Sequence, residues 1–360
     1  MSAPKAKLGI RRRLALELFR LHQKQKIREH TMRQLFWECT QRCNIACRHC
    51  GSDCSASTTI PDFPGDEFVE VCRKLARHVD PHQVTIVITG GEPLVRSDLE
   101  SVGAQLHALG YPWGIVTNGL ALTPERFRRL VEAGLRAITI SIDGLEEDHN
   151  WMRGNPLSFA RATAAIRTVA AARGINWDVV TCVNRRNIAH LPELKEHLIA
   201  NGVKGWRLFT VFPAGRAAGD ADLALTPVEY RSLMEFIKDT RAEGRINAQY
   251  CCEGFLGDYE GTVRSGFFQC HAGVSVASVL IDGSIGACPS IRCYMAQGNV
   301  RTDDLWEVWQ TRYQPYRDRS WMRKDDCKDC RNFRYCRGNG MHLRDAEGRL
   351  LRCNLKELQG

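Results

Sequence analysis

No stretch of this 360-residue chain approaches the ~18–20 consecutive apolar residues of a membrane span. A transmembrane segment is therefore not expected. A long block of one charge is missing as well. The net charge of +9 is scattered along the chain, so nucleic-acid binding is not indicated. The basic balance reads either as a solvated surface or as a preference for an acidic partner. No internal repeat is evident, which removes solenoids and propellers. A secretory start is also wanting. Arg11, Arg12 and Arg13 precede Leu14, Leu16 and Leu18, but Glu17, Arg20 and His22 interrupt the apolar stretch, and no small-residue cleavage site follows. The expected location is cytoplasmic. Residues 1–32 read as a basic amphipathic extension whose Leu14, Leu18 and Leu21 recur at helical spacing, suited to packing on the protein or on a partner.

Cysteine is what the chain has in excess. There are 16, and without a secretory signal a disulfide framework is disfavoured. Clustered thiols in a reducing compartment read instead as metal or iron–sulfur ligands. The first group, Cys43-x3-Cys47-x2-Cys50, directly follows a β-rich run. Three thiolates on one tight loop can hold three irons of a cubane [4Fe–4S] cluster and leave the fourth open to a ligand. A structural zinc loop is the alternative, with Cys54 or His49 as its fourth ligand. A second population begins with Cys251, Cys252, Cys270, Cys288 and Cys293 and continues with Cys327-x2-Cys330-x5-Cys336 and Cys353. Cys39, Cys72 and Cys182 fall in strand or helix patterns and read as small buried hydrophobes. Cys54 reads either that way or as a thiol near the first group.

Between Arg33 and Phe212, β-rich runs alternate with helical patterns. Strands are expected at 35–38, 84–88, 113–117, 137–140, 178–182 and 206–211, and helices at 66–78, 98–109, 123–133, 158–173 and 191–201. Thr123, Pro124 and Glu125 supply an N-cap, a proline at the first helical position and an acid in the first turn. Gly134 and Gly174 stand where a left-handed C-cap is wanted. Six such units imply an α/β fold with a parallel sheet: a partial (β/α)6 barrel with its chemistry at the C-terminal ends of the strands. After Pro213 the alternation stops. Residues 214–224 read as a loop or hinge, and one more helix runs to about residue 240. From 247 onward cysteine, glycine and aromatic residues dominate, in a region that would need metal staples to hold a core. The expected organisation is thus the extension 1–32, a partial barrel over 33–246 and a small cysteine-rich iron–sulfur domain over 247–360.

The first cysteine loop resembles the signature of the radical S-adenosylmethionine (SAM) superfamily, C-x3-C-x-aromatic-C after the first strand, with His49 in the aromatic position. Thr89-Gly90-Gly91-Glu92-Pro93, after the second strand, matches the superfamily's GGEP motif. The resemblance covers roughly residues 33–212. It implies that Cys43, Cys47 and Cys50 hold the catalytic cluster, and that the strand edge Gly90–Pro93 with Glu92 holds the amino group of SAM, the glycines allowing close backbone approach. Further matches close the third and fourth strands, at Asn118 and Ser141. Ser141 is implied to contact the ribose and Arg153 to pair with the SAM carboxylate. Plainer readings stand beside these: turn chemistry for Asn118-Gly119 and Asp143-Gly144, and a surface charge for Arg153. The implied reaction is reductive cleavage of SAM to a 5′-deoxyadenosyl radical that abstracts a substrate hydrogen. A reductant such as flavodoxin or ferredoxin would supply the electron.

The later cysteines resemble the SPASM domain of radical SAM maturases, over roughly 247–357. That domain usually carries two auxiliary [4Fe–4S] clusters. Carried over by position, Cys327, Cys330, Cys336 and Cys353 would complete one. The other would draw on Cys270, Cys288 and either Cys251 or Cys252, with Cys252 favoured. Its usual fourth cysteine falls at Gly340, which leaves an open iron, a substitute ligand or no cluster; Cys293 is one substitute. The aspartate that follows the second SPASM cysteine in some relatives is Pro289 here, so no general base is carried over. A maturase acting on a peptide or protein side chain is the leading expectation. The alternatives are a small-molecule enzyme for a tetrapyrrole, quinone precursor or sugar, and a non-catalytic electron-transfer or zinc module.

Overall fold

The computed structural model describes residues 8–251, 253–291 and 295–359. Cys252 and Cys293 lie outside them. Seven parallel strands follow one another: β1 Gln34–Thr40, β2 Thr85–Gly90, β3 Trp113–Thr117, β4 Leu135–Ser141, β5 Asn176–Val183, β6 Gly205–Thr210 and β7 Asn247–Tyr250. Each is hydrogen-bonded to its successor. The chain then returns to the opposite edge. There β8 (Val276–Val279) pairs parallel with β1, and β9 (Ile285–Gly286) pairs antiparallel with β8. The order β7-β6-β5-β4-β3-β2-β1-β8-β9 leaves the sheet open, so the architecture is the expected partial barrel, extended at both edges. The four residues of β7 are too few and too polar to register as a strand amid cysteines and glycines. The boundary at 246/247 therefore falls within one continuous sheet.

The helices in chain order are α1 Ile10–Glu29, α2 Gly65–Leu75, α3 Leu99–Ala108, α4 Pro124–Glu132, α5 Glu146–Arg153, α6 Ser158–Ala170, α7 Leu191–Ala200 and α8 Pro227–Glu243. Thr123 caps α4 through the Arg126 N–H, and Thr226 with Glu229 forms a capping box on α8. Helix α5 was not expected from the sequence. Its first turn carries Glu146, Glu147 and Asp148, which suit a helix N-terminus, and Gly154 ends it at φ +65°. Inside, Trp37, Trp113 and Trp206 are fully buried, and Trp37 stacks on Phe68 with centroids 4.4 Å apart. Each such burial contributes about 1.5–3 kcal/mol or more.

Helix α1 lies against the C-terminal cysteine-rich region. Leu16 packs in a cluster with Phe255, Phe268, Tyr335 and Leu355. The Gln23 amide donates to the Phe268 carbonyl at 2.9 Å, and the Tyr335 hydroxyl to Glu17 at 2.7 Å. Leu14, Leu18 and Leu21 are 63%, 60% and 55% exposed. Of the two roles expected of this helix, packing on the protein falls to the other face, which meets the cysteine-rich region, and the leucine stripe faces outward. No described helix is long and apolar enough to cross a membrane.

Candidate active site

Strand β1 runs straight into the first cysteine loop. A bridge between Arg42 and Ser55 closes that loop, with the Cys43 N–H donating to the Ser55 carbonyl at 3.1 Å. Cys43 and Cys47 are buried and Cys50 partly so, in one apolar cluster with Ile45, Leu120 and Cys54. Burial pushes the Cys43 thiol up to about 11, and it also raises Cys47 against the pull of Arg153. Cys50 shifts the other way, first through a hydrogen bond with Cys54. Among the described residues no three His, Cys, Asp or Glu side chains are spaced for a single metal ion. His49, at the aromatic position of the motif, has its Nε2 3.8 Å from Asp143 Oδ2, and burial lowers its pKa to about 4.

Two arginines hold the loop, Arg216 from outside and Arg48 from within it. Arg216, in the segment read from sequence only as a hinge, donates from Nε to the Cys47 carbonyl at 2.7 Å and from both terminal nitrogens to the Cys54 carbonyl at 3.1 Å. Its backbone N–H donates to the Cys50 carbonyl at 3.0 Å. Arg48 lies over the Trp151 ring at 4.5 Å, and its N–H donates to the Met152 carbonyl at 2.8 Å, tying the loop to α5.

The GGEP segment is built against this loop. The Gly91 N–H donates to the Thr40 carbonyl at 2.7 Å, and the Glu92 N–H to the Arg42 carbonyl at 3.0 Å. A Cβ on Gly90 or Gly91 would collide with the carbonyl oxygens of Thr40 or Arg42, and Gly90 also sits at φ +134°. The close approach that demands glycine is therefore first of all to the end of β1, with a cofactor edge only as a second role. Glu92 is 1% exposed. Its carboxylate accepts from the Leu94 N–H at 3.1 Å, the Thr117 hydroxyl at 2.7 Å and the Asn118 N–H at 2.8 Å. Burial nonetheless raises its pKa. Pro93 is buried at the start of the following 3₁₀ turn.

At the ends of β3 and β4 the expected residues converge. The Asn118 amide donates to Asn44 Oδ1 at 2.8 Å and approaches Cys43 Sγ at 3.9 Å. Ser141 lines the cavity described below. Arg153 is no surface charge: it is 8% exposed, its Nε stands 2.7 Å from Asp143 Oδ2, and a terminal nitrogen lies 3.8 Å from Cys47 Sγ. Asp143 is lowered despite burial, chiefly by Arg153, and also accepts from the Cys182 N–H at 2.9 Å. An N–H directed at sulfur favours the thiolate, the form that binds metal. The donor set therefore fits an iron–sulfur cluster.

These groups open onto a cavity of about 580 Å³. Gly90, Gly91, Asn118, Ser141 and Arg153 line its barrel side, and Pro289, Ser290, Arg344, Asp345 and Leu351 close it from the C-terminal region. Cys182 borders it as well, but at 1% exposure in an apolar cluster with Met152 and Val211 it is the small buried hydrophobe expected. Glu38 and Asp345 are the carboxylates of the lining besides the cysteine loop, and no motif in the sequence marked either one.

The second cysteine set converges elsewhere. Cys327, Cys330, Cys336 and Cys353 line one small enclosed space. Charges on Cys353 and Cys327 raise Cys336, and charges on Cys327 and Cys330 raise Cys353, both after the larger effect of burial. Cys270 lies apart from them. It is lowered despite burial by Arg319 and by the N–H groups of Met341 and Ala272. The Cys251 N–H donates to the Leu208 carbonyl at the end of β6, and Cys288 immediately precedes the cavity residues Pro289 and Ser290.

The profile of the radical SAM superfamily matches residues 37–198, and that of the SPASM iron–sulfur cluster-binding domain matches 270–331. The chain carries a radical SAM domain followed by a SPASM domain. Relatives differ in what they are named for. An AdoMet-dependent heme synthase of Methanosarcina barkeri is 25% identical over 85% of this chain and 90% of its own length. One from Nitratidesulfovibrio vulgaris is 29% identical, over 62% of this chain and 60% of its own length. The mycofactocin maturase MftC of Mycobacterium tuberculosis is 29% identical, over 85% of this chain and 78% of its own. Among solved structures, Streptococcus suis SuiB bound to S-adenosylmethionine shares the fold, with TM-score 0.68 and 16% identity over 88% of this chain and 76% of that one.

Proposed function

We propose that this radical SAM enzyme is a maturase that modifies a side chain of a peptide or protein. The observation that carries the reading is the size of the cavity. SAM is itself of the drug-like size that such pockets enclose, and it shares the 580 Å³ with the face of the cluster loop. What is left suits one side chain entering from the open side better than a flat macrocycle. With a [4Fe–4S] cluster on Cys43, Cys47 and Cys50, and SAM beside it, the site supplies a 5′-deoxyadenosyl radical that abstracts hydrogen from the substrate. The chain's own part is to bind, orient and exclude water. Gly90, Gly91, Glu92 and Pro93 present a rigid strand edge to the amino acid moiety of SAM. Asn118 and Ser141 supply polar groups for its nucleoside end. Arg153, neutralised in part by Asp143, offers a cation to its carboxylate. Glu38 and Asp345 are the carboxylates of the cavity wall and would be the candidates to take up a proton from the substrate.

The SPASM region would hold two auxiliary clusters, one of them on Cys327, Cys330, Cys336 and Cys353. A flavodoxin or ferredoxin would supply electrons. A tetrapyrrole substrate is the second reading, favoured by the resemblance to heme synthases.

Extract from source cells grown in deuterated medium separates the two. Reconstituted, reduced enzyme should release deuterated 5′-deoxyadenosine with the macromolecular fraction, and protease treatment of that fraction should abolish the transfer. Deuterium arising only from a protease-resistant, low-mass fraction would replace the maturase with the second reading.

A further inference from the structure

The SPASM pattern wants a cysteine at 340, and the chain has Gly340. The structure shows that this position has no room for one. The Gly340 N–H donates to the Glu253 carbonyl at 2.9 Å, and a Cβ placed there would stand 2.6 Å from that oxygen. It would also stand 2.7 Å from Cε1 and 3.0 Å from Nδ1 of His342. The imidazole of His342 thus fills the space that the missing side chain would enter.

The neighbourhood is that of the first auxiliary site. The N–H of Met341, between Gly340 and His342, is directed at the Cys270 thiol. Arg319 reaches both the Cys270 carbonyl, at 3.2 Å, and the Asn339 carbonyl, at 3.5 Å. The His342 ring packs edge-on against Phe212, with centroids 5.4 Å apart. Among the described residues neither of its ring nitrogens has a hydrogen-bond partner. Neutral imidazole is a common metal ligand, and this one occupies the place of the missing cysteine side chain.

We propose that His342 is a protein ligand of the first auxiliary iron–sulfur cluster, alongside Cys270 and Cys288. This rests on the reading that the SPASM region holds two clusters. It answers the sequence departure with a substitute ligand instead of an open iron. The cluster so closed lies one aromatic ring, Phe212, from the SAM cavity, since Phe212 is part of that cavity's wall. It would relay electrons and would not bind substrate. Exchange of a thiolate for a neutral imidazole raises a cluster's reduction potential.

The test uses the full chain with Cys43, Cys47 and Cys50 changed to alanine, so that only auxiliary clusters remain. It is labelled with ¹⁵N-histidine, reconstituted anaerobically and reduced until every remaining cluster is paramagnetic. Pulsed EPR should show strong coupling to one imidazole nitrogen. His342→Ala should abolish it. His342→Cys should also abolish it, while retaining the iron of two clusters and lowering the midpoint potential of one of them. Absence of nitrogen coupling in the parent, together with a spectrum that shifts on addition of a small thiol, would establish an open iron and overturn the assignment. Iron for only one auxiliary cluster in the parent would instead overturn the two-cluster reading, and with it this ligand.

Discussion

Replacing Arg216 with alanine tests whether the cysteine loop is held from outside. The guanidinium makes one bond to the Cys47 carbonyl and two to the Cys54 carbonyl. A hydrogen bond to a charged group contributes about 1.5–3 kcal/mol when well shielded. Arg216 is only partly buried, and two of its bonds share one acceptor, so the whole clamp is worth about 2–4 kcal/mol. That energy opposes opening of residues 43–54, not unfolding of the barrel. The loop-open population should therefore rise by about 30- to 1,000-fold. Release of iron from the reconstituted protein to a chelator, under anaerobic conditions and in a variant lacking the SPASM cysteines, should accelerate by a similar factor. The denaturant midpoint of the apo chain should move little. Arg216→Lys, able to keep one bond, should fall between. Iron release from Arg216→Ala within about twofold of the parent would refute the clamp, since so small a change corresponds to less than ~0.5 kcal/mol.

Three further outcomes follow from the same geometry. Gly91→Ala, whose Cβ would meet the Arg42 carbonyl, should destabilise the apo chain by about 3 kcal/mol or more through overpacking against backbone that cannot yield; denaturant titration reads this directly. Arg153→Gln should cost about 3–5 kcal/mol by stranding buried Asp143, whereas Asp143→Asn with Arg153→Gln should recover much of it; an additive double-mutant cycle would show that the two do not interact. Because burial raises the folded-state pKa of Glu92 above its unfolded value, the folded chain holds the proton more tightly. Its stability should therefore fall as pH rises from the ordinary glutamate range through that raised value. The stability difference between wild type and Glu92→Gln, measured on apo protein over about four pH units upward from the ordinary glutamate pKa of about 4.3, should show this slope, and a flat difference would contradict it.

The strands that carry the site were legible because each is a short β-branched run with no helical periodicity, and its cysteine or glycine motif begins where that run ends. The helix starts at Thr123 and Thr226 were legible from capping chemistry alone. Helix α5 was not. Eight residues that include Trp151 and Met152 between two polar turns give no apolar stripe, so a surface reading of Arg153 stood beside the SAM-carboxylate one until its element was seen. Arg216 escaped for a related reason. Its role is to reach backbone carbonyls more than 160 residues earlier, and backbone acceptors leave no mark in a sequence. Glu38 and Asp345 carry no motif; only the folding of the C-terminal region over the barrel mouth brings them to one cavity. The face of α1 that meets the protein was not legible because its partner surface, around Phe255 and Tyr335, is assembled from residues far along the chain.

Strand β1 is flanked on one side by β2 and on the other by β8, a segment more than 230 residues downstream. During synthesis its outer edge stays unpaired until residue 279 has emerged, while the rest of the sheet can already form. A truncation that ends after β6 would leave that edge bare next to the cysteine loop, an invitation to pairing between chains. Biochemists seeking a minimal catalytic core by deleting the cysteine-rich tail should instead recover aggregates, because the tail supplies the strand that finishes the sheet where the first thiols emerge.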